Sequence, residues 1–409
     1  MSRPTRDAIR AQFPSIAGGF AYMENAGGSQ VPAIVADRIR DTMLTSYVNL
    51  GASYPASQTA TQIVADAHDF VLRFMGGEGE GVVAFGASAT ILLRHLAEAI
   101  GRTIQPGDEI IVAQTGHEAN IGPWLALEER GAAIVWWPFN PDLSSLAIED
   151  LQKRLGPKTR LVCFPHTSNL LGDIVDVAEV TRMAHAAGAK VVVDGVAYAP
   201  HRPMRVAEWG VDWYVYSAYK VFGPHMAALF GRHDAFGGLV GPNHFFISPT
   251  NLPLKFEPGA QNYEGCAGLL TLGDYLAFLA GEETTGTPSR DTLVQAMEYG
   301  AELERPLQSK LLEFLTQCEN VRLCGPLASD DRRVCTISFV HRSLRSAEIV
   351  EHVHRHPFGI RNGHAYAYRL CEALGLDPAD GVVRVSLAHT NSEDEVARLI
   401  DVLVPILGP

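Results

Sequence analysis

From about residue 60 to residue 290 the chain repeats one pattern: a short apolar, β-branched run, then a stretch with helical spacing. The runs at 82–85, 109–113, 133–137, 161–164, 190–194, 213–217 and 227–230 read as strands. Amphipathic periods such as 90–101 and 177–187 read as helices between them. Strands separated by helices cannot pair through tight hairpins, so a mostly parallel, helix-covered sheet of seven strands follows. After residue 286 the pattern changes to a long helical period at 290–318, a run at 336–341 and a helix from Ser346. A run at 382–387 and a closing helix from Ser392 complete the chain, and Ser392 with Glu395 has capping-box spacing. The expected organisation is α/β, with a large domain at 21–288, a smaller α+β domain at 289–409, and an N-terminal segment (1–20) packing with the small domain. Two cores suit 409 residues, more than one core usually organises.

Composition narrows the function classes. Lysine and arginine total 33 against 46 acidic residues, a net charge of -13 with no basic run, which argues against a nucleic-acid partner. No apolar run approaches the roughly 20 residues that span a bilayer, so no membrane association is expected. The start lacks the apolar core of a secretory signal, and the six cysteines show no CxxC, so a cytoplasmic protein with reduced thiols is expected. No metal site is expected either. His352, His354 and His356 alternate as a polar edge would.

The most informative stretch is VVVDGVAYAPHR followed by DWYVYSAYKVFGPH. Asp194 ends one apolar run, where α/β sheets place ligands. Lys220 follows another, flanked by aromatic and apolar residues whose desolvation would make it a better amine nucleophile. Each residue alone reads more simply as a capping aspartate or a loop lysine. Together they supply what pyridoxal 5'-phosphate (PLP) requires, a Schiff-base lysine and an acid for the pyridinium nitrogen.

The segments ENAGGSQVP, FGASAT, GHEANIGPW, HTSNLLGDI, VVVDGVAYAPH, SAYKVFGPH, GAQNYEG, RNGHAYA and VRVSLAHTNS occur in this order. The set resembles the class V aminotransferase family, PLP fold type I, in its cysteine-desulfurase-like branch. Isopenicillin N epimerase-like and C–S lyase enzymes are related. The resemblance implies PLP as cofactor, a small-molecule amino-acid substrate and a homodimer with shared active sites. It assigns Lys220 to the cofactor's aldehyde and to proton transfer, Asp194 to the ring nitrogen, and His117 to the ring face. Asn169 would meet the phenolic oxygen, while Ala89, Thr90 and Ser217 would hold the phosphate at a helix start. Arg384 and Arg361 would bind the substrate carboxylate, and Tyr366 completes the expected substrate-binding set. His117 also reads as a buried, satisfied histidine, Asn169 as part of a turn, and Trp124 as either interface or core.

Four departures shape the expected chemistry. Tyr366 stands where a desulfurase has its nucleophilic cysteine, and Cys371 falls in a helical pattern that reads as core. Tyr219 replaces the histidine before the lysine, and Ala197 replaces a glutamine. Ala260 replaces a phosphate-binding threonine, leaving Gln261 or Asn262 to compensate. The expectation is β-elimination, a C–S lyase acting on cysteine or a cysteine S-conjugate without an enzyme persulfide. An aminotransferase, an epimerase and a decarboxylation-coupled oxidative deaminase are the alternatives within the fold. A non-catalytic PLP-fold protein and a nicotinamide enzyme are the readings outside it, and no GxGxxG follows the first strands.

Overall fold

Seven strands form the larger sheet in the computed structural model, which describes residues 2–283 and 286–408. In chain order they are β1 (Gly81–Gly86), β2 (Glu109–Ala113), β3 (Ala133–Trp137), β4 (Thr159–Pro165), β5 (Lys190–Asp194), β6 (Trp213–Ser217) and β7 (Ala227–Arg232). Their order across the sheet is β1-β7-β6-β5-β4-β2-β3, and only β7 runs antiparallel to its neighbours. All seven expected runs are strands, with ends moved by no more than two residues.

Alternation along these strands builds two cores. Val191 and Val193 point into one face with Ile111, Val162, Tyr214 and Tyr216. Val192 points into the other with Ile110, Val112, Cys163 and Val215. Helices α1 (Pro55–Met75), α3 (Val177–Ala186) and α4 (Tyr263–Ala280) cover the first face, and α2 (Ala89–Gly101) covers the second. Strands buried on both sides are apolar throughout, which is why the VVV run was so legible. Trp124 is fully buried in the second core and donates from Nε1 to Asn120 Oδ1 at 2.9 Å, so it is a core residue.

Helix α5 (Arg290–Gln317) leads out of this unit. Leu293, Ala296 and Met297 belong to the large core, whereas Leu307, Leu311 and Leu315 belong to another. Pro306 lies between the two sets. The second set packs on an antiparallel sheet of β8 (Val321–Cys324), β9 (Thr336–His341), β10 (Arg361–Gly363) and β11 (Val382–Ser386), ordered β8-β9-β11-β10. Helices α6 (Ser346–Val353) and α7 (Glu393–Leu407) complete that layer. Ser392 and Glu395 close the capping box at the start of α7.

The N-terminal segment touches both units. Ile9, Phe13 and Ile16 bury in the large core, while Arg6 and Arg10 donate to the carbonyls of His389, Asn391 and Thr390. Residues Ala21–Tyr22 then pair in parallel with Phe358–Gly359. No described helix is long and apolar enough to cross a membrane.

Candidate active site

The carboxyl ends of β4, β5 and β6 meet the start of α2, and a cavity lies where they converge. β5 ends in Asp194 and β6 in Ser217, and the single turn Ala218–Lys220 brings Lys220 back beside them. Ala89, Thr90, His117 and Asn169 line the same space. Seven expected site residues therefore share one cavity although 131 positions separate Ala89 from Lys220.

Local sequence explains this placement. Asp194 is followed by Gly195, whose missing Cβ would sit 2.1 Å from the Tyr214 hydroxyl. No other residue lets Tyr214 pack there and bond His166 Nδ1 at 2.9 Å, behind the aspartate. Gly172 has φ 71°, and a Cβ there would lie 2.4 Å from Thr336 O. The TSNLLG segment is thus a turn that docks onto β9 and carries Asn169 to the cavity. Ser88 caps α2 by accepting from Ile91 N at 3.3 Å. The other first-turn amides have no intrahelical acceptor.

Burial sets the electrostatics. Lys220 is 8% exposed, and desolvation with the Arg384 charge pushes its pKa down to about 8, against the pull of Asp194 and Glu24. Burial raises the Asp194 carboxyl above the usual range, opposed by the bond from Val196 N (3.0 Å) and by Lys220. His117 Nδ1 accepts from Ala119 N at 3.0 Å, which assigns the proton of the neutral ring to Nε2. Burial, Lys220 and Arg384 lower its pKa to about 4, so the ring is neutral at pH 7.

Arg384, Arg361 and Tyr366 are not among the residues that line this cavity, but the smaller sheet brings the Arg384 charge close enough to act on Lys220 and His117. Arg384 on β11 is buried, donates from Nη1 to Asn169 O at 3.2 Å, and leaves Nε without a partner. Burial pushes this guanidinium down to about 10. Arg361 pairs in register with Arg384, so the two side chains share a face. Arg361 is more exposed and its Nε meets Glu24 Oε1 at 2.5 Å. Beyond β10, Ala365 and Tyr366 have φ of 43° and 61°, a conformation costing roughly 1–2 kcal/mol per residue. Asn169 Nδ2 donates to Ala365 O at 2.7 Å and Glu118 N to Tyr366 O at 2.9 Å, which hold the loop beside His117.

Other expected residues lie elsewhere. Gln261 donates to Glu257 Oε2 at 3.3 Å and lines a neighbouring cavity with Gly86 and Ala87. Asn262 caps α4 by accepting from Gly265 N at 2.7 Å, so its carbonyl oxygen is already engaged. Cys371 is fully buried, with its thiol pushed up to about 11. Two residues escaped the sequence reading. Thr167 lines the cavity with an unpartnered hydroxyl, and Glu24 faces both arginines from the ENAGG segment. Neither position carries a local signal; only the approach of separate loops gives them a role.

The aminotransferase class V family model matches residues 21–399. An aminotransferase-like protein of Gibberella zeae, FGM3, is 38% identical over 98% of both chains. A nonribosomal peptide synthetase-like enzyme of Aspergillus fumigatus, fsqF, is 35% identical over 98% of this chain, which covers 26% of it. The cysteine desulfurase-like protein ustD of Aspergillus flavus is 30% identical over 95% of this chain and 88% of its own length. Among solved structures, a cysteine desulfurase from Thermococcus onnurineus superposes with a TM-score of 0.86 at 24% identity, covering 100% of this chain and 98% of that one. The Escherichia coli cysteine desulfurase CsdA gives 0.81 at 22% identity, covering 99% and 98%. With the family model matching all but the two ends of the chain and a relative 38% identical along nearly its whole length, this chain belongs to the aminotransferase class V family, whose members are PLP-dependent enzymes.

Proposed function

We propose that this chain binds PLP in the cavity around Lys220 and cleaves a C–S bond of cysteine or a cysteine S-conjugate by β-elimination. The observation that carries the reading is the pairing of a buried Lys220 and Asp194 with a phenol, Tyr366, where a persulfide-forming relative has its thiol.

The donor set fits the cofactor. Lys220 offers an amine depressed to about 8, Asp194 a carboxylate for a ring nitrogen, and His117 a neutral flat ring. The first-turn amides at Ala89 and Thr90 suit a phosphate, with the Ser217 hydroxyl beside them. The unpartnered Thr167 Oγ1 and Asn169 Oδ1 are buried polar atoms that a ligand would satisfy. When bound, PLP supplies an electron sink for a carbanion at the substrate α-carbon.

The chain's own residues supply the rest. Arg384 binds the substrate carboxylate through its free Nε edge, and its burial makes an anionic partner valuable. Lys220 takes the α-proton onto Nζ, the C–S bond breaks, and the sulfur leaves as a thiolate. The proton held on Lys220 Nζ then passes to that thiolate, in a cavity that the Tyr219 ring lines 5.9 Å from the amine. Overall, an S-conjugate and water give a thiol, pyruvate and ammonia. The described cysteines are all buried, which supports a route without an enzyme persulfide. A homodimer is part of this proposal, with Gln261 serving the partner's phosphate.

The test is product analysis. Purified enzyme given S-benzyl-L-cysteine should release thiol and pyruvate in equal amounts without a keto-acid acceptor. A product formed only when an acceptor is present would favour amino-group transfer, the reading suggested by the aminotransferase-like relative.

A further inference from the structure

Ala365 and Tyr366 are the two consecutive non-glycine residues with positive φ among the described residues. Three hydrogen bonds fix them: Asn169 Nδ2 to Ala365 O (2.7 Å), Glu118 N to Tyr366 O (2.9 Å), and Tyr366 N to His364 Nδ1 (3.0 Å). Strain of this kind persists only where the surroundings enforce it, and it clusters at functional positions. Yet the ring it positions is not buried. Tyr366 is 66% exposed, with its ring 5.1 Å from that of His117 and tilted by 31°.

More aromatic surface adjoins it. His364 meets Tyr366 and Tyr368 edge-on at 6.1 and 5.6 Å, and Tyr368 is 48% exposed. The charged groups of this rim already neutralise one another. Arg361 holds Glu24 at 2.5 Å, and Arg369 holds Glu118 at 3.2 Å while covering Trp136. A ring held in one orientation before ligand arrives binds a flat apolar group with little ordering cost. A rim whose cations are paired offers an anionic side chain much less.

We infer that Tyr366, positioned by His364 and Asn169, is a specificity-determining residue that stacks on a flat apolar side chain of the substrate. The enzyme then selects amino acids with an aromatic group a few bonds beyond Cα over short or anionic ones. This rests on the proposed amino-acid site but not on C–S cleavage.

The experiment titrates the PLP-loaded enzyme with L-homophenylalanine, L-alanine and L-aspartate, following the visible absorption of the bound cofactor to obtain Kd. None of the three carries a leaving thiol. Homophenylalanine should bind at least tenfold more tightly than alanine, and aspartate no better than alanine. Tyr366→Asn, which keeps a residue tolerant of positive φ while removing the ring, should bring the alanine-to-homophenylalanine ratio within twofold. Tyr366→Phe should preserve it. A wild-type ratio below threefold, tightest binding of aspartate, or an unchanged ratio in Tyr366→Asn would overturn the inference. Should the Asn variant not fold, the wild-type ratio and the Phe variant decide. No spectral change with any amino acid would instead refute the amino-acid site itself. Absence of thiol from S-benzylcysteine would refute only the elimination.

Discussion

At the floor of the cavity, Asp194 and Ser217 end strands whose interior residues are buried on both faces, and their backbone lies in ordinary extended geometry. At its mouth, Ala365 and Tyr366 hold left-handed backbone angles, and an aromatic ring stays exposed. The floor is rigid because sheet pairing and two apolar cores over-determine it. The mouth is held by individual hydrogen bonds to Asn169, Glu118 and His364. Under the proposed function, general chemistry belongs to the floor and substrate choice to the mouth, where loops can change without disturbing a core.

The contrast can be broken at the floor first. Lys220→Ala should abolish the borohydride-reducible yellow adduct and lower turnover by ~10⁴-fold, as loss of a nucleophile and proton carrier does. A variant that still forms the adduct would remove Lys220 from its role. Asp194→Ala should cost ~10³-fold in turnover and weaken cofactor retention on dialysis. Full activity would contradict the electron-sink argument.

Gly195→Ala probes the floor's packing. A Cβ about as close to Tyr214 as 2.1 Å must displace that ring, so denaturant unfolding should show a loss of about 3 kcal/mol. Adding Tyr214→Leu should recover part of it, and a neutral single variant would show that the floor yields more easily than its packing implies.

A pH series sharpens the comparison. Only the neutral amine attacks an aldehyde, and the Lys220 pKa is depressed to about 8. Adduct formation by apoenzyme should therefore rise with pH and level off above about 8. A rise that continues toward 10 would mean that the amine is solvated. The smallest effect belongs to the mouth: Ala365→Gly relieves a positive φ but frees the unfolded chain, so stability should change by no more than about 1 kcal/mol.

Legibility followed the same division. The apolar runs at 190–194 and 213–217 announced their strands because burial on both faces leaves no polar position to blur the pattern. Asp194 and Lys220 were visible as charges at or just beyond the ends of such runs. Thr167 and Glu24 were not, because a threonine or glutamate in a loop looks the same whether it faces water or a cavity. Arg361 illustrates the intermediate case. Its motif indicated a substrate arginine, and the structure gives it a carboxylate, Glu24, from 337 positions away.

The sequence alone determined the alternating α/β plan, the lysine and aspartate at strand ends, and the absence of a thiol at position 366. Periodicity and charge are local properties, so one chain suffices to display them. Tertiary structure decided that Asn169, Ala365, Glu118 and Tyr366 interlock, and that Arg384 loses its solvent. It also decided that Asn262 serves as a helix cap. These outcomes depend on which distant segments come within bonding reach, and that distance is set by the packing of two sheets rather than by any stretch of residues.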